Sequence, residues 1–197
     1  MNDTINYYNQ NASAFIEETV SVNMSDIYRR FLAVMPVQSN ILDLGCGSGR
    51  DSKFFVDIGH LVTAVDGSPE LCQNAEEYVG VPVRCVLFDE LDYHEEFDAV
   101  WACASLLHVE KDKMLDVLKL VSNALKNNGI LYVSYKYGQK QRLQGGRLFS
   151  DYTEQDIPFL FNQENKLKCL EWWITADARP ERSNEQWINI ICQKGLC

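Results

Sequence analysis

Long apolar runs, secretory signals and paired-cysteine motifs are all absent from this sequence, and each absence excludes a class of protein. No apolar run approaches the ~18 residues that a membrane-spanning helix needs, so no membrane span is expected. The polar stretch 1–10 lacks the apolar segment of a signal peptide, which predicts a cytoplasmic protein. Proline and glycine are also scarce, at 5 and 11 of 197 residues, and this excludes collagen-like and low-complexity chains.

The seven cysteines follow neither a disulfide pattern nor a metal-binding pattern. Their number is odd, their spacing is irregular and no CxxC pair occurs, so we expect buried reduced thiols. The three histidines, His60, His94 and His108, stand at no metal-ligand spacing from the cysteines. The sequence therefore predicts neither a disulfide framework nor a metal site.

Basic residues are few relative to acidic ones, with 18 Lys and Arg against 28 Asp and Glu, which gives a net charge of −10. Such a chain repels phosphate backbones, and this argues against nonspecific nucleic-acid binding. The length suits about one domain. We predict a single domain over 1–197, with an N-terminal helical lid or cap at 1–36 and an α/β core at 37–197.

Apolar strands alternate with amphipathic helices along most of the chain. We predict strands at 40–44, 61–65, 83–87, 97–101, 130–136, 167–175 and 186–193, and helices at 9–20, 25–34, 50–58, 69–78, 111–126 and 153–161. This alternation favours an α/β fold, a three-layer, doubly wound sheet of seven strands. The strand pair at the end of the chain predicts that the last strand is antiparallel. Asn128-Gly129 predicts a turn before the fifth strand.

A glycine-rich loop joins the first predicted strand to a helix. Gly45, Gly47 and Gly49 alternate there, which allows a sharp turn and the close approach of a ligand. Asp66 ends the next strand, where an acid accepts both ribose hydroxyls in nucleotide-binding sheets. Asp66 could instead cap the following helix, but Ser68 before Pro69 suits that role better. The spacing GxGxG differs from the GxGxxG of dinucleotide binders, so a nicotinamide cofactor is less favoured.

Two segments carry a more specific pattern. The run ILDLGCGSGR at 41–50, followed by VTAVDGS at 62–68, resembles motif I and the next acidic position of class I S-adenosylmethionine-dependent methyltransferases. The resemblance extends over about 7–193 and implies a Rossmann-like methyltransferase fold with S-adenosylmethionine as cofactor, S-adenosylhomocysteine as product and no metal. Within that superfamily, 49–52 resembles the small tellurite-resistance-type group and its uncharacterised relatives, and 146–149 resembles a segment of wobble-uridine tRNA methyltransferases.

The resemblance also implies which residues bind the cofactor. These are Asp43, Gly45, Cys46 and Gly47 at the methionine end, Asp66, Gly67 and Ser68 at the ribose, Phe88 and Asp89 at the adenine, Ala102, Cys103 and Leu107 beneath the sulfonium, and Tyr7 from the lid. Asp89 is expected to accept a hydrogen bond from the exocyclic amine. Cys103 is expected to pack in the core and not to act as a nucleophile, because the family transfers the methyl group directly.

The acceptor side of the site is expected near the end of the fifth strand. Segment 136–150 carries four basic residues and no acid, and Lys140, Arg142 and Arg147 are the candidate substrate residues. A basic mouth on an acidic body predicts an anionic substrate, although a solvated flexible loop is an equal alternative. Arg179 and Arg182, in the turn before the last strand, are expected to open on the same side. His108 is the candidate general base, unless it is a packing histidine.

These expectations predict an S-adenosylmethionine-dependent methyltransferase that acts on a small, anionic or soft nucleophilic acceptor. Two alternatives stay open: a tRNA wobble-uridine methyltransferase, which the net charge disfavours, and a nonenzymatic S-adenosylmethionine-binding module. A monomer or a homodimer is expected. The acceptor atom, whether O, N, S, Se or Te, is not determined by the sequence.

Overall fold

The computed structural model describes residues 2–162, 165–179 and 182–195. The helices are α1 (Asn2–Thr19), α2 (Ser25–Leu32), α3 (Arg50–Asp57), α4 (Pro69–Val79), α5 (Met114–Ala124) and α6 (Ile157–Leu160). The strands are β1 (Asn40–Leu44), β2 (Leu61–Asp66), β3 (Val83–Cys85), β4 (Phe97–Ala102), β5 (Leu125–Lys136), β6 (Gln141–Gln144), β7 (Arg147–Ser150), β8 (Leu167–Ala176) and β9 (Gln186–Lys194). Short 3₁₀ helices cover Phe88–Glu90, Leu106–His108 and Glu154–Asp156.

A seven-stranded sheet forms the centre of the protein, in the order β3-β2-β1-β4-β5-β9-β8. The first five strands pair in parallel, whereas β9 is antiparallel to both β5 and β8. The predicted α/β fold with a seven-stranded sheet and an antiparallel last strand is confirmed. The strand order reverses between β1 and β4, and doubly wound sheets bind ligands outside the carboxyl ends of the strands at such a point.

Helices cover both faces of the sheet, and each face has its own apolar core. One face packs α5 and α6 against residues such as Val100 and Leu131. The opposite face packs α2 and α3, through Phe31 and Phe55, against Trp101 and its neighbours. Successive side chains of a strand point to opposite faces, so strands that are covered on both sides appear as continuous apolar runs.

The basic segment 136–150 forms a β-hairpin. Strands β6 and β7 pair antiparallel, with Gln144 opposite Arg147. Gly145 and Gly146 join them with φ angles of 57° and 79°, as a two-residue type I′ turn requires. Residues 141–150 thus form a regular hairpin that the Gly-Gly pair closes, and most of β6 is exposed to solvent.

The N-terminal helix is longer than its sequence pattern predicts. It begins at Asn2 instead of at the predicted residue 9, and it bends at Asn11, where φ is −120°. The segment before residue 9 is polar and has no apolar period, so its helical state depends on contacts described below. Within the described ranges, no helix is both long and apolar enough to cross a membrane.

The fifth strand also begins earlier than predicted. β5 starts at Leu125, directly after α5, and the predicted Asn128-Gly129 turn lies inside the strand. Asn128 has a φ of 63°, and the pairing with β4 shifts register between Phe97 and Ala99. The turn residues are therefore accommodated as a bulge near the amino end of β5.

Candidate active site

A deep cavity opens at the carboxyl edge of the sheet. It holds about 1470 Å³, a volume that includes the open solvent at its mouth. Its walls are the loops after β1, β2 and β4, the end of β5, the hairpin strand β7 and the facing ends of β8 and β9. Helix α1 lies over it through Tyr8 and Phe15.

The glycine loop follows β1 and forms the floor of the cavity. The backbone N–H groups of Gly45 and Cys46 both donate to the Val65 carbonyl, at 2.8 and 2.9 Å, which ties the loop to β2. Gly45 has a φ of 79°, and a Cβ there would lie 2.5 Å from the Cβ of Ser105. Only glycine fits at this position, because the loop after β4 approaches so closely.

Asp66 lies beside the glycine loop and is held in one orientation. Its Oδ2 accepts from the Gly47 N–H and its Oδ1 from the Ser68 N–H, both at 2.9 Å. Burial raises the pKa of Asp66, while the backbone N–H groups oppose that shift. A carboxylate has about four lone-pair sites, so Asp66 keeps acceptor capacity for hydroxyl groups in the cavity. Ser68 caps α4, with its Oγ 3.3 Å from the Leu71 N–H.

The structure brings many of the residues predicted to bind cofactor or substrate to one cavity. Those on its wall are Gly45, Cys46, Gly47, Asp66, Gly67, Phe88, Cys103, Leu107, His108 and Arg147. The others lie behind the wall or on its outside. Asp43 and Ala102 are buried in strands, Ser68 is the helix cap, Asp89 is exposed, Tyr7 packs on Arg147, and Lys140 and Arg142 lie around the hairpin.

Two of these residues have internal partners. Ser52 donates to Asp43 Oδ2 at 2.6 Å, and burial raises the pKa of Asp43. Arg142 forms an ion pair with Asp151, next to the hairpin. The sequence analysis assigned the positive charge of Arg142 to substrate binding, because segment 136–150 contains no acid. Asp151 lies just beyond that segment, and its ion pair with Arg142 neutralises this charge. Arg147 is therefore the member of the candidate trio that faces the cavity.

Arg50 is a cavity residue that the sequence analysis did not single out. Its guanidinium binds Asp51 twice, with Nε–Oδ1 at 2.6 Å and Nη2–Oδ2 at 2.8 Å. Asp51 also accepts from Tyr28 and from Trp101 Nε1. Burial alone would raise the pKa of Asp51, but these donors outweigh it and the pKa is lowered. The ion pair with Asp51 holds the Arg50 cation beside the glycine loop. Its position directly after the third glycine, Gly49, was the sequence signal that could have identified it as a site residue.

His108 connects the helix α1 to the hairpin. Its Nδ1 lies 2.6 Å from the Leu148 carbonyl oxygen, and its Nε2 lies 2.8 Å from the Tyr8 hydroxyl. Burial lowers the pKa of His108 to about 4; the Leu148 carbonyl opposes the shift, and Arg147 and Lys136 add to it. Both ring nitrogens are therefore engaged, and the ring is neutral at physiological pH.

Arg147 is a cation without a counter-charge. Its guanidinium carbon lies 4.3, 5.8 and 5.2 Å from the ring centres of Tyr7, Tyr8 and Phe149. Among the residues that the structure describes, its buried Nε has no hydrogen-bond partner and no carboxylate forms an ion pair with it. An unpaired buried donor is costly, so the side chain is poised to bind an anion.

The other cations of the cavity mouth are paired. Lys136 forms an ion pair with Glu185. Arg179 binds Asp177, with Nη2–Oδ2 at 2.7 Å, and Arg182 lies 3.6 Å from Glu18 of α1. Arg179 and Arg182 lie on the cavity wall, on the side where the turn before the last strand was expected to open. Their charges are largely compensated, which distinguishes them from Arg147.

Helix α1 is attached to the site at several points along its length. Thr4 Oγ1 accepts from the Leu148 N–H at 3.1 Å, and Ser68 Oγ donates to Asn9 Oδ1 at 2.6 Å. The ring of Phe15 lies where a Cβ on Gly47 would be 3.0 Å away. These contacts place α1 over the cavity, while its function as a lid stays a prediction.

The described cysteines and acids show no metal arrangement. Cys46, Cys72, Cys85, Cys103, Cys169 and Cys192 are all free thiols, and Cys197 lies outside the described residues. No cluster of three or more His, Cys, Asp or Glu within the described ranges could hold a metal ion.

Known proteins share this architecture. Residues 41–129 match a family model described as a methyltransferase domain. The 1,6-didemethyltoxoflavin-N1-methyltransferase of Burkholderia thailandensis, solved with 1,6-didemethyltoxoflavin and S-adenosylhomocysteine, superposes with a TM-score of 0.75 over 98% of this chain and 85% of its own, at 24% identity. The fold is that of a methyltransferase. A SAM-dependent methyltransferase from Methanosarcina mazei also superposes with a TM-score of 0.75, over 86% of this chain and 99% of its own, at 20% identity.

One curated relative adds evidence from sequence. The Bacillus subtilis (strain 168) protein YqeM, which is named as a methyltransferase, is 31% identical over 131 residues, covering 62% of this chain and 53% of YqeM. The chain thus spans about half the length of the curated relatives it matches. Together the family model and this relative support a methyltransferase domain, and the solved structures support its Rossmann-like fold. The tellurite-resistance-type subgroup stays a prediction.

Proposed function

We propose that this protein transfers the methyl group of S-adenosylmethionine to a small anionic acceptor. One observation carries the proposal. A single cavity holds a fixed carboxylate, Asp66, beside an open glycine loop, and an uncompensated cation, Arg147, on another part of its wall. Asp66 and the glycine loop suit a nucleoside with an amino-acid tail, and Arg147 suits a negatively charged molecule.

The residues around the glycine loop fit this cofactor. Gly45 leaves no room for a side chain, so the backbone is open to a ligand. Asp66 would accept from the ribose hydroxyls. Arg50, whose charge Asp51 compensates, would border the methionine end of the cofactor, and the Phe88 ring would lie at the adenine. Bound there, S-adenosylmethionine supplies a methyl carbon that the sulfonium charge has already activated.

The remaining predicted contacts belong to the same proposal. The backbone of Cys46 and Gly67 and the side chain of Leu107 lie on the cavity wall and would border the cofactor. Asp89 follows Phe88 in a short 3₁₀ helix, where it could reach the exocyclic amine. Tyr7 would act indirectly, because its ring supports Arg147.

The acceptor is proposed to be anionic because of Arg147. Burial strengthens the attraction between a guanidinium and an anion, since less water screens it. Lys140 and Arg142 are not needed for this proposal, because Arg142 is already paired with Asp151. The hairpin therefore contributes one inward cation, which does not suit the long phosphate backbone of a tRNA.

Calorimetric titration tests the cofactor half of the proposal. S-adenosylmethionine and S-adenosylhomocysteine should bind, and NADH should not. Asp66→Asn keeps the size of the side chain but removes its charge, so binding should weaken by about 10- to 150-fold, the range for a hydrogen bond to a charged group. Asp57→Asn, on the exposed end of α3, is the matched control and should bind like the wild type. Equal affinity in Asp66→Asn, or a preference for NADH, would refute the assignment.

Turnover separates an enzyme from a binding module. A panel of small carboxylates and phosphates is incubated with S-adenosylmethionine labelled in its methyl group. Label should appear in an anionic acceptor, and Arg147→Met, which keeps a long apolar stem, should raise KM for it. A protein that binds the cofactor and labels none of these acids would contradict the proposed anionic acceptor.

A further inference from the structure

The tautomer of His108 sets the direction of the Tyr8 hydroxyl. A carbonyl oxygen can only accept, so the Nδ1 that faces Leu148 carries the proton. In a neutral imidazole the other nitrogen, Nε2, carries no proton, so its lone pair accepts a hydrogen bond from the Tyr8 hydroxyl. The Tyr8 O–H is therefore committed to His108, and the oxygen can offer the cavity only its lone pairs.

Arg147 lies against the same residue, with its guanidinium carbon 5.8 Å from the centre of the Tyr8 ring. Burial raises the pKa of Tyr8, and the positive charge of Arg147 opposes that shift. A phenol oxygen has two acceptor lone pairs. The Tyr8 O–H is used by His108, so its lone pairs remain for a donor in the cavity that Tyr8 lines. The wall therefore presents a hydrogen-bond acceptor and an unpaired cation side by side.

We infer that the oxygen of Tyr8 accepts a hydrogen bond from the hydroxyl or amine that is methylated, while Arg147 binds an anionic group of the same molecule. Tyr8 is then a catalytic residue, and His108 is the positioning residue that orients it. This inference rests on the proposed function and narrows its acceptor class. It favours hydroxyl or amine compounds with a neighbouring carboxylate or phosphate over soft anions that carry no proton.

Methyl transfer to this acceptor requires no change in the protonation of Tyr8 or His108. A lone pair of the acceptor oxygen or nitrogen forms the bond to the methyl carbon as the carbon–sulfur bond breaks, and that electron pair stays on sulfur. The proton of the acceptor, hydrogen-bonded to Tyr8, is released to water after transfer. His108 keeps its single proton on Nδ1 throughout, which agrees with its burial next to two cations.

Binding of simple aromatic acids tests the pair of groups without knowledge of the natural acceptor. Protein loaded with S-adenosylhomocysteine is titrated with benzoate and with 2-, 3- and 4-hydroxybenzoate. The affinity for benzoate measures the contact with Arg147, and the gain in affinity from the added hydroxyl measures the contact with Tyr8. The best isomer should bind about 2- to 13-fold more tightly than benzoate, the range expected for one neutral hydrogen bond.

Tyr8→Phe should reduce that ratio to about one, because it removes the accepting oxygen and keeps the ring. Tyr78→Phe, an exposed tyrosine on α4, is the matched control and should keep the wild-type ratio. A ratio that persists in Tyr8→Phe, a wild-type protein without preference for any isomer, or one that binds none of the four acids would each overturn the inference.

His108→Phe tests the positioning role. A merely structural residue would weaken all four acids equally, whereas loss of orientation should lower the ratio of hydroxybenzoate to benzoate. Titration with S-adenosylhomocysteine alone is done first. If it does not bind, the proposed function fails, and the same ratios measured on the unloaded protein show only whether Tyr8 accepts a hydrogen bond from a ligand.

Discussion

Replacing Gly45 with alanine should test how closely the glycine loop and the loop after β4 approach each other. The substitution combines two penalties. A residue with a side chain at a φ of 79° costs about 1–2 kcal/mol. The new Cβ would also lie 2.5 Å from Ser105 Cβ and 3.3 Å from a Phe88 ring carbon, and overpacking of this kind costs about 1–3 kcal/mol. We expect a total loss of about 2–5 kcal/mol in the free energy of unfolding.

Gly80→Ala provides a matched control. Gly80 ends α4 with a φ of 81°, but nothing lies within 4 Å of a Cβ placed there. It should therefore show the backbone penalty alone, about 1–2 kcal/mol. Urea unfolding at pH 7.5 measures both variants, and the difference between them is the steric contribution of Ser105 and Phe88.

Adding Ser105→Gly to Gly45→Ala should recover most of that difference, because it removes the atom at 2.5 Å. The double-mutant cycle should give a coupling free energy of about 0.5–3 kcal/mol, the range for residues in contact. If Gly45→Ala is no more destabilising than Gly80→Ala, or if the cycle shows no coupling, the close approach of the two loops is refuted.

Three further predictions concern charge, pH and thiol access. Asp51→Asn leaves the buried Arg50 partner without its counter-charge and should cost about 3–5 kcal/mol in urea unfolding, whereas Asp57→Asn at the exposed end of α3 should cost under about 1 kcal/mol. A small loss in Asp51→Asn would contradict the buried pair. The pKa of His108 is about 4 in the folded protein against 6.5 as its ordinary value, so the unfolded chain binds the extra proton first. The neutral His108 ring therefore contributes about 3 kcal/mol to the free energy of unfolding above pH 6.5, and this contribution is lost as the pH falls toward 4. Urea unfolding midpoints measured between pH 7.5 and 4.5 should fall less steeply in His108→Phe than in the wild type. Equal slopes would argue against a neutral buried ring. Cys85 is exposed, so a thiol reagent should label it rapidly in the native protein, and Cys85→Ser should remove one equivalent from the fast phase; an unchanged fast phase would contradict its exposure.

Local patterns predicted the elements that surround the glycine loop. β1 was predicted with the bounds that the structure shows, and β2 and β4 each within one residue of theirs. These strands are short apolar runs between strong turn residues, and their state depends little on distant contacts. The Gly-Gly pair at 145–146 carried an equally local signal for a hairpin, which the sequence analysis did not use.

Helix α1 shows where local patterns fail. Its first turns are polar and carry no apolar period, so the sequence predicted a start near residue 9. In the structure Thr4 binds the backbone of β7 and Ile5 packs beside Gly67. Contacts between segments more than 60 residues apart therefore decide whether this segment is helical.

The sequence by itself determined the layered sheet, the glycine loop at its switch point and the acid at the end of β2, because each follows from residue types at close spacing. Only the tertiary structure decided which charges are free. Arg142 forms an ion pair with Asp151 and Arg179 with Asp177, whereas Arg147 packs against aromatic rings. His108 and Tyr8 meet across 100 positions of the chain. Compensation of charge and direction of hydrogen bonds depend on distances in space, which residue spacing does not encode.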